Sequence, residues 1–277
     1  MNKDPLAIFT IVQNEPVWLP VWVDYYRSQV DASDLFVLNH DSSGQGADVL
    51  TELSAKFGIN VIPVHRRVSF DHHWLADTVR LFQHFLLNSY RTVLFIEVDE
   101  IVATTSHSKY SNLEQYATAV IGSKRLFHKP REYVRCTGYE VVHKPEEEPA
   151  LDWSEPLLQQ RAWWYHSVRY SKTLLSMTPL EWDIGFHDIS NPEARIEKME
   201  DDLVLIHLHK IDFDFCLAKH KESANRNWSA SDKEDGSGQQ NRLYDTEKLR
   251  TWFRSSIDNP SEDAQLVHIP DHIKSII

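Results

Sequence analysis

Glycine is scarce, with only 8 residues in 277, and none of them builds a recognisable phosphate loop. No GxxxxGK[ST] run exists, which removes a P-loop, and Gly44-Gln45-Gly46 is followed by Val49 where a dinucleotide fingerprint needs its third glycine. Cysteine is scarcer. Cys136 and Cys216 cannot make a disulfide framework, neither sits in a CxxC or CxxH zinc spacing, and both read as free thiols of a reducing cytosol. Positive charge is in deficit: 29 Lys and Arg against 41 Asp and Glu leave a formal net charge of −12. Such a field repels phosphate backbones, so nucleic acid is not expected as a main partner. No apolar stretch approaches a membrane span. The apolar run near the start breaks at Gln13, too short for a signal peptide. A cytoplasmic location is expected, with a peripheral membrane contact left open by composition.

What is present is an ordinary globular balance, 42% hydrophobic and 25% charged, which rules out wholesale disorder. The unusual abundances are 9 Trp and 15 His. Tryptophan offers flat surfaces for sugars or bases but also large areas of core burial, and the core is the expected destination of most.

In the first hundred residues short apolar runs alternate with amphipathic stretches. Leu6 to Val12, Leu35 to Leu38, Ile59 to Val64 and Thr92 to Val98 read as strands apolar on both faces, the mark of a parallel sheet. The spacers between them are about twenty residues, enough for right-handed crossover helices. Trp18, Trp22 and Tyr26 recur every fourth residue in the first spacer, and Leu75, Val79, Phe82 and Leu86 repeat the pattern in the third. The expectation is an α/β fold, a mostly parallel sheet flanked by helices. Its parallel half spans about 1–104 and its mixed α+β half about 105–221. Later strand candidates are Gly138 to His143, Lys172 to Met177 and Leu203 to His209, with an acidic surface loop from Pro145 to Pro156. Residues 222–242 hold almost no apolar side chain except Trp228 and read as a polar, mobile loop. A last helical segment within 243–277, near Leu249, Trp252, Phe253 and Ile257, is expected to pack back on the same domain.

Open α/β sheets bind ligands outside the carboxyl ends of their strands. The four ends here are polar: Gln13-Asn14-Glu15, Asn39-His40-Asp41-Ser42, His65-Arg66-Arg67 and Glu97-Val98-Asp99-Glu100. On a strand, Glu97 and Asp99 would share one face. Carboxylates emerging from a buried apolar strand need neutralising, either by a salt bridge or by an oxygen-loving divalent ion, Mg²⁺ or Mn²⁺, bridging them to a diphosphate. His207 and His209 also stand two apart, opposite Val204, Ile206 and Leu208, so both imidazoles can face one way as ligands. The alternative for each is a buried histidine satisfied by backbone groups. His72 and His73 are adjacent, diverge on any regular element, and are taken as surface or supporting groups.

A first strand ending in Asn-Glu before Trp-Leu and Trp, a second ending in Asp-Ser-Ser, and Leu-Phe-Ile-Glu-Val-Asp-Glu together resemble metal-dependent glycosyltransferases of family 2 and its family 92-like relatives. The likeness continues through Gly185-Phe186-His187 and His207-Leu208-His209-Lys210 to Lys219, covering most of 6–221, with Glu97 standing where an Asp is usual. It implies the GT-A fold, a nucleoside-diphosphate sugar donor, a glycan or other hydroxyl acceptor, and a divalent cation, Mn²⁺ or Mg²⁺. It also implies a metal shell drawn from Glu97, Asp99, Glu100, His207 and His209, with Asp99 and His207 foremost. Asn14, Glu15 and Asp41 would hold the nucleoside; Arg66, Lys210 and Lys219 would meet phosphate, the other reading of Arg66 and Arg67 being that they balance nearby acids. Inverting transfer requires a base, and Asp183 or Asp188 around Gly185 supplies a carboxylate; either also suits a turn cap. Residues 222–242 would form a lid, with Arg226, Lys233 and Arg242 meeting phosphate and Trp228 covering the sugar or base.

Related chemistries fit less well. A sugar nucleotidyltransferase needs a glycine-rich basic loop where this chain has Gln13-Asn14-Glu15, and Gln159-Gln160-Arg161-Ala162-Trp163 lacks the spacing of the processive polysaccharide synthases. Transfer of a single sugar in glycan or polysaccharide assembly is the leading expectation. Two alternatives remain, a metal-dependent phosphoesterase and a non-catalytic nucleotide- or carbohydrate-binding protein with a degenerate transferase fold.

Overall fold

Leu6, Ala7, Ile8 and Phe9 are each at most 1% exposed, so the first strand is covered on both faces, as a parallel strand between helices must be. In the computed structural model, which describes residues 3–65, 69–121, 132–191, 199–258, 260–261 and 264–277, this strand is β1 (Asp4–Val12). It pairs in parallel with β2 (Leu35–His40) and β4 (Tyr90–Phe95), and β2 pairs in parallel with β3 (Asn60–Val64), giving the order β3-β2-β1-β4. Alternate residues feed opposite faces. Leu6 and Ile8 join a cluster with α1 (Trp18–Tyr26) and α2 (Gly44–Phe57), while Ala7 and Phe9 join one with α3 (His72–Leu86). Gly58, at φ 76°, ends α2 in the left-handed conformation that glycine adopts without steric cost. The Asp71 carboxylate starts α3 by accepting from the Trp74 backbone N–H.

The second half is mixed. β5 (Glu100–Thr104) follows β4 after a tight turn, then come α4 (Leu113–Val120), β6 (Tyr133–Val142), β7 (Trp163–His166), β8 (Thr173–Ser176) and β9 (Glu200–His207). β8 joins β4 to β6 by antiparallel pairing on both sides. Past a register shift, β6 pairs in parallel with β9, which in turn pairs antiparallel with β5. The chain closes with α5 (Phe213–Ala224), α6 (Ala230–Asp235), α7 (Thr246–Asp258), β10 (Leu266–His268) on the edge of β7, and α8 (Asp271–Lys274). The result is an α/β architecture with a parallel half and a mixed half. No helix among the described residues is long and apolar enough to cross a membrane.

Two sequence expectations change. The strand expected over Thr92 to Val98 stops at Phe95, so Glu97 and Asp99 stand in the turn before β5 and not together on a strand face. The turn occurs because the chain must reverse from β4 into the antiparallel partner of β9. Residues 222–242, expected as a mobile polar loop, contain the end of α5, α6 and a 3-10 turn at Gln240–Arg242. Polar capping and one aromatic anchor order this segment: Ser229 accepts from the Asp232 N–H, Asp232 accepts from the His72 N–H, and Trp228 is buried against Phe70 and His72.

Candidate functional site

The acidic turn divides its charges between two partners. Glu97 and Glu100 share the buried Lys172, whose Nζ lies 2.9 Å from Glu97 Oε2 and 2.7 Å from Glu100 Oε1. Neutralisation of these two acids is therefore supplied by a side chain from the start of β8, and the expectation that all three acids surround a cation is revised. Burial pushes the Glu100 carboxyl up to about 7 despite the opposing charge of Lys172. Burial likewise disfavours the Lys172 cation, but Glu100 and Glu97 outweigh it and raise its pKa. Gly138 makes this arrangement sterically accessible: a Cβ there would lie 2.3 Å from the Tyr170 carbonyl, so only glycine lets the segment ahead of β8 cross β6 so closely.

Asp99 turns the other way. The Leu208 N–H donates to the Asp99 carbonyl at 2.9 Å, fastening the turn to the end of β9. Asp99 Oδ2 lies 3.8 Å from His207 Nε2 and 3.6 Å from His209 Nδ1. The two imidazoles are parallel within 2°, with centroids 5.8 Å apart. His207 Nδ1 lies 2.9 Å from Glu140, a buried acid on β6, and Tyr170 stacks on the ring at 3.8 Å. With Nδ1 engaged by Glu140, it is His207 Nε2 that faces Asp99. A carboxylate behind a histidine is the arrangement that orients metal-ligating imidazoles.

Charge follows this geometry. Burial opposes ionisation of Asp99, but hydrogen bonding from His209 and the charges of His207 and His209 prevail, holding its carboxyl below the ordinary range. Burial also opposes charge on His207, yet Glu140 and Asp99 raise its pKa. His209 is pushed well above the usual imidazole value because Cys216 and Asp99 outweigh its burial. Asp99, His207 and His209 thus bring one carboxylate and two imidazole donors within 4.8 Å of one another, a set able to hold a divalent first-row metal ion.

These groups open into a cavity of about 500 Å³ at the carboxyl ends of β1 and β4. Glu15 and Lys219 stand on its wall, paired at 2.9 Å, with Arg226 3.9 Å from the same Glu15 oxygen. The other oxygen, Glu15 Oε2, is buried with no hydrogen-bond partner among the described residues, and burial pushes the carboxyl up against the pull of Lys219. Asn14 and Asp41, both at positive φ, tie strand ends together: Asn14 Oδ1 accepts from the Ser43 N–H at 2.9 Å and Asp41 meets His65 at 2.6 Å. Neither lines the cavity.

Lys210 turns away into the packing of α7, with its Nζ 3.2 Å from the Phe253 carbonyl and 4.2 Å over the Trp252 ring. Lys210, expected at a phosphate, therefore does not line the cavity. Trp228 is also occupied, donating to the Ser223 carbonyl at 2.7 Å and carrying Arg242 on its face, so it does not lie open to a ligand. Arg66 and Arg67 lie outside the described residues. Asp183 and Asp188 are exposed at the mouth of a small hairpin, with the Asp183 N–H donating to the Asp188 carbonyl. The tip between them, Ile184 to His187, lines the cavity instead.

Sequence reasoning missed Glu140, Lys172, Tyr170 and Cys216. A signal existed for the first two: each is a charged residue within or at the head of an apolar strand run, where burial demands a partner.

No family model matches the sequence, and no curated protein matches it. Solved structures similar to the chain include a protein described as a glucose-1-phosphate thymidylyltransferase from Bacillus anthracis in complex with a sucrose. It is 14% identical over 52% of this chain and 58% of that one, with a TM-score of 0.31. Another is the mannosyltransferase PcManGT from Pyrobaculum calidifontis in complex with GDP-Man and Mn²⁺, 9% identical over 94% of this chain and 77% of that one, with a TM-score of 0.36. A third is residues 1–349 of TarS from S. aureus, 10% identical over 91% of this chain and 73% of that one, with a TM-score of 0.33.

Proposed function

We propose that the chain is a metal-dependent glycosyltransferase that moves one sugar, with inversion, from a nucleoside-diphosphate sugar to a hydroxyl acceptor in glycan or polysaccharide assembly. The observation carrying this reading is the convergence of Asp99, His207 and His209, with Glu140 behind His207, on a cavity at the carboxyl ends of the parallel strands. The sequence motifs supply the same residues through their likeness to family 2 and family 92-like transferases. Asp99, His207 and His209 would hold the ion, and bound there it would offset the charge developing on the departing diphosphate. Lys172 holds Glu97 and Glu100 in place within the same turn.

Lys219 and Arg226 reach the cavity from α5 and the residues after it, placed to meet phosphate oxygens once a donor competes with Glu15 for them. Glu15, with one oxygen unpaired, is assigned to a donor hydroxyl of the nucleoside. Asp183 and Asp188 flank the hairpin tip that lines the cavity, so an acceptor entering over that tip meets their carboxylates, and one of the two takes the acceptor proton. Residues 222–242 close the side of the cavity through Arg226, Ser237 and Asn241 and serve as its lid. A thermal-shift series of nucleoside diphosphates with and without Mn²⁺ tests the reading, because a ligand that binds only the native state raises apparent stability. Stabilisation by one nucleotide in a metal-dependent manner supports it; no stabilisation by any nucleoside diphosphate with Mn²⁺, or metal-dependent release of phosphate from simple esters with no transfer of sugar, overturns it.

A further inference from the structure

On the far side of His209 lies a second set of donors that the proposed reaction does not use. Cys216 and His220 are one helical turn apart on α5, so both side chains fall on the same helix face. Both are 1% exposed, and both border the cavity wall. His209 Nε2 lies 2.8 Å from His220 Nε2, and donor atoms of His209, Cys216 and His220 all lie within 4.8 Å of one another.

The proton positions are decided by the surroundings. His220 Nδ1 lies 3.1 Å from the Leu243 carbonyl, which can only accept, so Nδ1 carries the hydrogen and Nε2 presents a lone pair to His209. This carbonyl-backed imidazole is the outer arrangement that orients a metal-ligating histidine, with Leu243 serving His220 as Glu140 serves His207. The Trp252 ring, 5.8 Å from His209 and 5.4 Å from His220, screens the group with apolar surface.

We infer that His209 Nε2, Cys216 Sγ and His220 Nε2 form a second metal site, selective for a thiophilic divalent ion of the zinc class and separate from the oxygen-and-nitrogen site at Asp99. One thiolate and two imidazoles suit Zn²⁺ or Co²⁺ far better than Mg²⁺ or Mn²⁺. A fourth position faces the cavity, where water or a ligand atom completes the shell. Binding replaces two protons by one divalent ion, the Cys216 thiol proton and the one between His209 and His220, and both leave to solvent. His209 offers Nδ1 to the first site and Nε2 to the second; with the second site filled alone Nδ1 keeps its hydrogen towards Asp99, and with both filled His209 bridges as an imidazolate and releases that third proton to solvent as well.

The test is a titration of the full-length, metal-free chain with Co²⁺, read by absorption. A thiolate-to-cobalt charge-transfer band in the near ultraviolet is expected, saturating at one equivalent and abolished by Zn²⁺. Cys216→Ser loses the band, while Cys136→Ser and Asp99→Asn keep it. His220→Gln, an independent variant should Cys216→Ser fail to fold, weakens Co²⁺ binding by at least the roughly 10–100-fold that even an outer hydrogen-bond partner contributes. Absence of the band in the wild-type chain overturns the inference, as does a band that survives in Cys216→Ser. Failure of the Asp99 site is read separately, as a wild-type chain whose addition leaves the free Mn²⁺ paramagnetic resonance signal unchanged.

Discussion

His207 Nδ1 lies 2.9 Å from both carboxylate oxygens of Glu140, although the two stand 67 positions apart in sequence. The contact exists because β6 and β9 run in parallel and place Glu140 directly beside His207 in register. It fixes which ring nitrogen faces Asp99, and the metal binding proposed for the site depends on that orientation.

Glu140→Gln removes the negative charge behind His207 while keeping its shape. Affinity for Mn²⁺ is expected to fall by roughly 10–100-fold, with the far-ultraviolet circular dichroism unchanged. Equal Mn²⁺ affinity in the variant, measured by calorimetry, would show that Glu140 serves only the fold.

Lys172 neutralises two acids in a buried setting, so Lys172→Met leaves Glu97 and Glu100 facing each other without a cation. Loss of one partner from a buried pair costs about 3–5 kcal/mol. Glu100 already has a raised pKa of about 7, and mild acid adds a proton that relieves the repulsion. The destabilisation seen by urea unfolding should therefore shrink as pH falls from neutral, and adding Glu100→Gln should recover much of it. A loss independent of pH would contradict this account of the turn.

The His187 imidazole has its pKa lowered to about 4, by burial first and then by the nearby Lys172. In the unfolded chain the group titrates at its ordinary value of 6.5. Between these values the unfolded state binds the proton and the folded state does not, so stability falls as pH drops from about 6.5 towards 4. His187→Gln should make that decline shallower in a pH series of thermal unfolding, and an unchanged slope would remove His187 as a contributor.

Much of the framework was legible because its cause is local. A parallel strand covered on both faces reads as an unbroken apolar run, and α1 and α3 show their buried faces at helical spacing. β5 was hidden because Glu100–Thr104 continues the apolar run of β4 with only the turn between, and β10 is a three-residue edge strand. The order in 222–242 was hidden because it comes from Ser229, Asp232 and Trp228 reaching α3 and its approach, about 160 residues earlier, as the separation of His72 from Asp232 shows. In the site, Asp99, His207 and His209 stood out by residue type. Lys172 and Glu140 did not, since their role depends on β8 and β6 being brought beside the acidic turn and β9.

Asp212 links the interior to α5. It accepts from the Phe215 N–H at 2.9 Å as the cap of the helix and meets the fully buried Arg161 at 3.2 Å. Asp212→Ala removes one salt-bridge partner of that guanidinium, which keeps the Ile211, Pro149 and Gln160 carbonyls as acceptors, and is expected to cost about 1.5–3 kcal/mol. It should also loosen α5, raising hydrogen exchange at Cys216 to His220; protection equal to wild type there would separate the cap from the site.

The most direct measurement compares Asp99→Asn with the wild-type chain in Mn²⁺ binding and in transfer from a nucleoside-diphosphate sugar. Asparagine preserves shape and removes the charge that His207 and His209 face at 3.8 and 3.6 Å. The expected result is a folded variant that neither binds Mn²⁺ measurably nor transfers sugar at any Mn²⁺ concentration. Wild-type metal affinity and wild-type transfer in Asp99→Asn would contradict the metal-dependent site built on Asp99, His207 and His209.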